Sequence, residues 1–290
     1  MSTLFCFGLG YTARVLAGRL MAQGWRVVGT TRSEKNISSI RDFGAEAVLF
    51  DGLTPSPKAS ELIQQSTHIL HSIRPNELAD AALVHHRQEL AEAPDLAWIG
   101  YLSTVGVYGD RAGGWVDETT PPAPLSQGSR RRLAAENLWA SFGKETQKAV
   151  HRFRLPGIYG PGRNALAALK SGKARRIVKP GQVFNRAQVA DIASVLEASI
   201  RQPRAGAVYN VTDDEPAPPQ DVVTYAAELL GVEPPPEIPF EDAELSPMGR
   251  AFYGECKRVK NELIKSELGV GLSYPTYREG LRALAGELIS

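Results

Sequence analysis

Thr3-Leu-Phe-Cys-Phe7, Gly8-Leu-Gly10-Tyr11-Thr12-Ala13, an amphipathic run to Gln23-Gly24 and then Arg26-Val-Val-Gly29 decide how this chain is read. The order is apolar strand, glycine turn, helix, second apolar strand. Gly8 allows a tight turn, Gly10 lets the backbone come close to a pyrophosphate, and the small Ala13 lets helix and strand pack closely. The helix start at Tyr11 and Thr12 offers free N–H groups and a positive dipole end to phosphates. A bare G-x-G-x-x-A pattern also occurs in purely structural βα turns. Its place directly after a strand that opens at residue 3 favours the dinucleotide reading.

The segment after the second strand bears on which dinucleotide. An NAD site usually carries Asp or Glu roughly 20 residues past the glycines, on the ribose hydroxyls. This chain has Gly29-Thr30-Thr31-Arg32-Ser33, with no carboxylate before Glu34. A carboxylate would repel a 2′-phosphate, whereas Arg32 pairs with one in fork geometry. NADP(H) is therefore expected over NAD(H), which stays as the second choice. The alternative is that Arg32 is a solvated loop residue and Ser33 caps the next helix.

The bulk properties exclude several classes. A chain of 290 residues holds one large domain or two smaller ones, and 43% hydrophobic with 22% charged residues is ordinary globular composition. A net charge of +1 points to no nucleic-acid partner and no membrane surface. The two cysteines, Cys6 and Cys256, lie far apart, and Cys6 falls inside the first strand as a small buried hydrophobe. None of the five histidines makes a metal-type spacing, so no metal site is expected. The N-terminus lacks a basic leader, and no run approaches the ~20 apolar residues of a membrane helix. A reducing cytoplasm is the expected compartment.

Apolar runs and helical patterns alternate along the first half. Ala47–Phe50 reads as a third strand, with Pro55 and Pro57 marking a connection. His68–Ile73 reads as a fourth strand, Ala79 to Ala93 as a helix and Leu96–Ser103 as a fifth strand. Ser129 to Ser141 reads as a helix with Leu133, Leu138 and Trp139 toward a core, and Ala149–Leu155 as a sixth strand. Ala187 to Arg201 is a further helix, and Ala207–Val211 a short strand returning to the sheet edge. This alternation implies an α/β fold, a Rossmann-type doubly wound parallel sheet. After residue 156 the composition turns to glycine and proline clusters. The expected division is a Rossmann core of 1–155 plus about 186–212, with a smaller interleaved C-terminal substrate domain of 156–185 plus 213–290.

Leu102-Ser103-Thr104-Val-Gly-Val107-Tyr108-Gly109-Asp110 resembles the fifth-strand signature of the extended short-chain dehydrogenase/reductase superfamily, its NAD-dependent epimerase/dehydratase branch. Arg132-Leu-Ala-Ala-Glu136 is similar to the helix carrying that family's active-site lysine. Arg154-Leu-Pro-Gly-Ile-Tyr159-Gly160-Pro161-Gly162-Arg163 is similar to its entry into the substrate domain, and Val189-Ala-Asp191-Ile-Ala193 to a later helix. Tyr209-Asn-Val211 with Asp213-Asp214, and Lys257-Arg-Val-Lys-Asn261 with Glu267-Leu-Gly269, resemble its C-terminal landmarks. The likeness covers nearly the whole chain with its motifs in order.

The resemblance implies hydride transfer with a nicotinamide, and a Ser/Thr, a Tyr and a Lys that carry the proton. Free tyrosine titrates near ~10, so the family's lysine lowers the phenol pKa. On this alignment the Ser/Thr role falls on Thr104, the lysine position on Arg132 and the tyrosine position on Gly128. The chain therefore lacks the usual Tyr-x-x-x-Lys pair and fits the atypical branch of the superfamily. Tyr108, Tyr159 and Tyr101 are candidate replacement phenols, although Tyr108 also belongs to the common Val-Tyr-Gly turn. Val105 and Gly106 stand where sugar 4,6-dehydratases place Asp and Glu, which argues against that reaction.

By the same resemblance Asp51 meets the adenine, or else makes an Asx turn with Gly52. Ser72 and Arg74 lie along pyrophosphate and ribose, or Arg74 is a surface residue. Tyr159, Arg163 and Asn164 stand where the family meets its substrate. Two functions compete. One is an NADP(H)-dependent enzyme acting on a polar carbonyl or alcohol, a small molecule such as a nucleotide-sugar, at a non-standard site. The other is a non-catalytic NADP(H)-binding sensor. Monomer and homodimer are both open.

Overall fold

The opening residues form the expected βαβ unit. In the computed structural model, which describes residues 1–76 and 80–286, it comprises β1 (Thr3–Phe7), α1 (Tyr11–Ala22) and β2 (Arg26–Thr31). There follow α2 (Ile37–Asp42), β3 (Glu46–Leu49), α3 (Pro57–Gln64), β4 (His68–His71), α4 (Ala81–Glu92) and β5 (Trp98–Thr104). The next elements are β6 (Trp115–Val116), α5 (Gln127–Thr146), β7 (Val150–Leu155), β8 (Gly157–Tyr159), α6 (Ala165–Lys170) and β9 (Arg176–Val178). The chain continues through β10 (Arg186–Gln188), α7 (Val189–Arg201), β11 (Val208–Asn210), α8 (Pro219–Leu230) and β12 (Glu237–Pro239). It closes with α9 (Pro247–Tyr253), β13 (Arg258–Val259), α10 (Glu262–Ser266) and α11 (Tyr277–Gly286).

Seven strands share one sheet in the order β11-β7-β5-β4-β1-β2-β3. β1 pairs in parallel with β2 and β4, β2 with β3, and β4 with β5. The chain steps outward from β1 through β2 to β3, then returns to the other side as β4. The carboxyl ends of β1 and β4 therefore lie at the point where strand order reverses, the place where open α/β sheets bind ligands. All five residues of β1 are buried, as a strand covered on both faces requires. α1 buries Thr12, Ala13, Leu16, Ala17 and Leu20 along one stripe.

Several sequence expectations are corrected here. The Pro55–Pro57 connection contains a helix: Pro57 occupies the first turn of α3, where its missing N–H costs nothing, and Ser56 Oγ accepts from Ala59 N at 3.4 Å. β4 ends at His71 rather than Ile73, because at Ser72 the chain turns its hydroxyl onto the glycine turn. The expected helix start at Ala79 lies outside the described residues. α5 buries Ala135, Trp139 and Phe142, spaced four and three apart. Leu138, one position off that stripe, is 42% exposed rather than in the core.

The chain divides into two compact units. The first comprises Met1–Thr104, Gln127–Arg154 and Ala193–Tyr209; the second comprises Val105–Ser126, Leu155–Ile192 and the chain from Asn210 on. Within the first, Glu136 of α5 is joined to Arg154 of β7 by two bonds, Nε to Oε1 at 3.1 Å and Nη2 to Oε2 at 2.8 Å. Ser103 of β5 donates to the same Oε1 at 2.5 Å, and all three residues are buried. Helix and two strands are thus fixed by one buried fork–fork pair. Within the second unit, both oxygens of Asp191 accept at 2.9 Å, from the N–H groups of Ser273 and Tyr274, which ties α7 to the segment before α11. The second unit also buries Asp213, whose carboxyl is held well above the ordinary range by burial, opposed by the charge of Arg186.

Two predictions follow from these buried charges. Removing one partner of a buried pair leaves the other uncompensated, so Glu136→Gln lowers unfolding free energy by about 3 kcal/mol, read from urea titration. Asp213 binds its proton more tightly in the folded than in the unfolded chain. Its contribution is therefore fully present at acid pH and is lost as pH rises through the raised folded value. Asp213→Asn is expected to raise the melting midpoint at pH 8 and to leave it nearly unchanged at pH 4; a fall at pH 8 would refute the assignment.

Candidate functional site

The glycine turn is held from two sides. Gly8 leaves β1 at φ +84°, and an added Cβ would lie 2.7 Å from Ile73 Cγ2, so both backbone and space demand glycine. Its N–H donates to Thr30 Oγ1 at 2.8 Å, and its carbonyl accepts from Ser72 Oγ at 2.5 Å. Leu9 N–H donates to the Thr30 carbonyl at 3.3 Å. Gly10 caps α1 in an extended conformation, and an added Cβ there meets nothing within 4 Å. No side chain caps this helix start, and its first turn carries no acid. Open space before an uncapped helix N-terminus is a fitting cradle for a pyrophosphate. Tyr11 and Thr12 begin the helix, and Ala13 is fully buried behind them.

At the end of β2, Thr31 Oγ1 lies 3.3 Å from Ser33 N. Arg32 is exposed, with no hydrogen bond or ion pair among the described residues. Ser33 stands at the head of the following short helical turn but makes no side-chain capping bond. Asp51 Oδ1 accepts from Leu53 N at 2.8 Å and Thr54 N at 3.3 Å, and these bonds hold its carboxyl below the usual range. One Asp51 oxygen thus serves the local turn. Ser72 serves the glycine turn, and Arg74 is exposed.

Arg132 reaches back over the carboxyl ends of β4 and β5. Its Nη1 donates to Leu102 O at 2.9 Å, Ile73 O at 3.2 Å and Tyr101 Oη at 3.3 Å. Its guanidinium carbon lies 5.8 Å from the centre of the Tyr101 ring. Arg132 and Glu136 stand one helical turn apart but make no ion pair, because Glu136 is spent on Arg154. Thr104 ends β5 and is half-buried. Gly128 lies exposed in the first turn of α5 and brings no proton-carrying group.

The three tyrosines are all enclosed. Tyr101 is fully buried, and burial pushes its phenol up. In the second unit Tyr108 is fully buried and donates to Asn210 Oδ1 at 2.8 Å. Tyr159, also in the second unit, donates to the Thr276 carbonyl at 3.4 Å, and burial pushes its phenol up as well. Arg163 is exposed and exchanges two 3.0 Å backbone bonds with Gly160. Asn164 caps α6, accepting from Ala167 N at 2.9 Å while its amide donates to Gly160 O at 2.8 Å.

Residues 8–212 match the NAD dependent epimerase/dehydratase family. The chain belongs to that family. It is 49% identical to a conserved protein of unknown function from Silicibacter pomeroyi DSS, with a TM-score of 0.90 and full coverage of both chains. It is 28% identical to Protein YeeZ of Escherichia coli (strain K12), over 95% of this chain and 97% of that protein. The dTDP-glucose 4,6-dehydratase of Bacillus anthracis, solved in complex with NAD, is 19% identical with a TM-score of 0.79, covering 99% of this chain and 96% of that one. The last comparison shows the fold shared across the family.

Among the described residues, no group of three or more His, Cys, Asp or Glu is placed to hold a metal ion, and no helix is long and apolar enough to cross a membrane. One residue beside the family's glycine turn was missed in the sequence. Arg14 donates from Nε to Leu9 O at 3.3 Å and from Nη2 to Ser39 O at 3.2 Å and Ser39 Oγ at 3.0 Å. Its only signal was a basic residue one helical turn past Gly10.

The two glycines are expected to separate folding from binding. Gly10→Ala leaves the melting midpoint unchanged, because its Cβ enters open space, but weakens a bound dinucleotide at least tenfold, about 1.4 kcal/mol. Gly8→Ala lowers the midpoint itself, through the strained φ and the Ile73 clash. A Gly10→Ala protein that keeps full nucleotide affinity in calorimetric titration would show that no ligand backbone passes there.

Proposed function

We propose that this protein is an NADP(H)-dependent enzyme acting on a polar carbonyl or alcohol at a site that dispenses with the family's tyrosine. The observation that carries the reading is the uncapped, open start of α1 behind Gly10, with the unpaired Arg32 at the end of β2. Gly8, Gly10, Tyr11, Thr12 and Ala13 would line the pyrophosphate, Arg32 and Thr31 the 2′-phosphate, and Asp51 the adenine edge. Ser72 and Arg74 would follow the ribose. When bound, the nicotinamide supplies or accepts a hydride.

The chain's own residues would then orient and polarise. Arg132 presents a fixed positive charge beside Leu102 and Tyr101, suited to a ribose or substrate hydroxyl. Thr104 would hydrogen-bond the reacting oxygen. Tyr159, Arg163 and Asn164 are proposed for substrate recognition, with Arg163 suited to an anionic group such as the diphosphate of a nucleotide-sugar. The dTDP-glucose relative supports that substrate class by analogy. A cytoplasmic setting fits a cofactor of this type.

The second reading, a non-catalytic NADP(H) sensor, is favoured by one specific observation. Tyr101, Tyr108 and Tyr159 are enclosed, and burial makes Tyr101 and Tyr159 poorer proton donors and acceptors near neutral pH. Calorimetric titration with NADPH and NADH, on wild type and Arg32→Ala, tests the shared premise. The expected result is tighter NADPH binding in the wild type, with NADPH alone weakened about tenfold in the variant, ~1.4 kcal/mol. Binding of neither nucleotide would reject both readings. Thr104→Ala then divides them: an enzyme that uses Thr104 loses at least about tenfold in kcat with a screened substrate, whereas a sensor shows no turnover in either protein.

A further inference from the structure

The guanidinium of Arg14 bridges the glycine turn and α2. One end is fixed to the glycine turn through Leu9 O, and the other to α2 through the carbonyl and hydroxyl of Ser39. Below it lies the Phe43 ring, whose centre is 5.1 Å from the guanidinium carbon. Gly18, one turn along the same face of α1, lies beside that ring: a Cβ built there would sit 3.7 Å from it, an ordinary contact. Nε and Nη2 are spent on these bonds, while Nη1 has no hydrogen-bond partner among the described residues. An arginine on an aromatic ring, fixed at both ends and with one donor edge unspent, is preorganised for a second anion contact.

We propose that Arg14 is a second specificity-determining residue for the ribose 2′-phosphate, acting with Arg32 from the opposite wall of the site. This rests on the NADP(H) reading above. The chemistry is a phosphate monoester dianion between two guanidinium groups, one exposed just past β2 and one clamped on α1. Because the clamp also holds the glycine turn to α2, a purely structural role is the rival explanation. The two differ in what they do to NADH, which lacks the 2′-phosphate but uses the same turn.

The test is calorimetric titration of wild type, Arg14→Gln and Arg14→Lys with NADPH and with NADH, each protein first checked for an unchanged melting midpoint. Adenosine 2′,5′-bisphosphate and ADP serve as a probe pair that needs only the adenosine half of the site. The expected outcome is a loss of about tenfold in NADPH affinity for Arg14→Gln and a smaller loss for Arg14→Lys, with NADH within twofold of wild type. The probe pair should show the same split, also when only Arg14→Lys folds. Equal weakening of both dinucleotides, or no change in either, overturns the proposal while leaving the NADP(H) reading standing. A wild type that prefers NADH, or binds neither, defeats that reading and this inference together.

Discussion

The whole first unit is organised around one short strap, the bonds that hold Gly8. Its N–H is spent on Thr30 of β2 and its carbonyl on Ser72 just past β4. The turn is therefore fixed before any ligand arrives. A turn held in this way costs no ordering when a phosphate binds, which is the physical meaning of preorganisation. It also explains why Thr30 and Ser72 are hydroxyl residues: each must reach one backbone group from a strand edge without filling the space that α1 opens onto.

The second anchor lies under the other end of the candidate site. Glu136 takes both Arg154 and Ser103, so α5, β5 and β7 share one buried carboxylate. Such a pair need not add net stability over an apolar core, because desolvation offsets much of the attraction. What it does fix is direction. Glu136 and Arg132 lie one turn apart on α5, so pinning the first points the second at the carbonyls of Leu102 and Ile73.

This division between local and distant causes explains what the sequence disclosed. The glycine turn, the alternation of strands and helices and the later motifs are patterns over a few residues, and they led to the sheet and the family. The helix after Pro55 went unread because proline signals a break unless one asks whether its missing N–H would have been used. Leu138 was misplaced because a hydrophobic residue beside Trp139 looks internal until the inward stripe is fixed by Ala135 and Phe142. The roles of Ser72, Arg132 and Arg14 were illegible for a stricter reason. Their partners, Gly8, Leu102 and Ser39, come from other segments, and no spacing rule encodes a bond between residues 25 to 64 positions apart.

On the proposed alignment, which puts the family's tyrosine position on Gly128 and its lysine position on Arg132, the two differences are better read as one change than as two. A lysine beside a tyrosine is useful because its charge stabilises the phenolate, and the pair loses its purpose if either member goes. With Gly128 in place of the phenol there is nothing for a lysine to tune. Arginine then suits the position better: it stays charged at every accessible pH and has enough donors to hold two strand-end carbonyls while facing a tyrosine ring. On that alignment the helix position would serve to fix a charge rather than to tune a proton. In the proposed enzyme the proton would then come from the substrate, from solvent or from the hydroxyl of Thr104, and the rate would depend on orientation more than on acid strength.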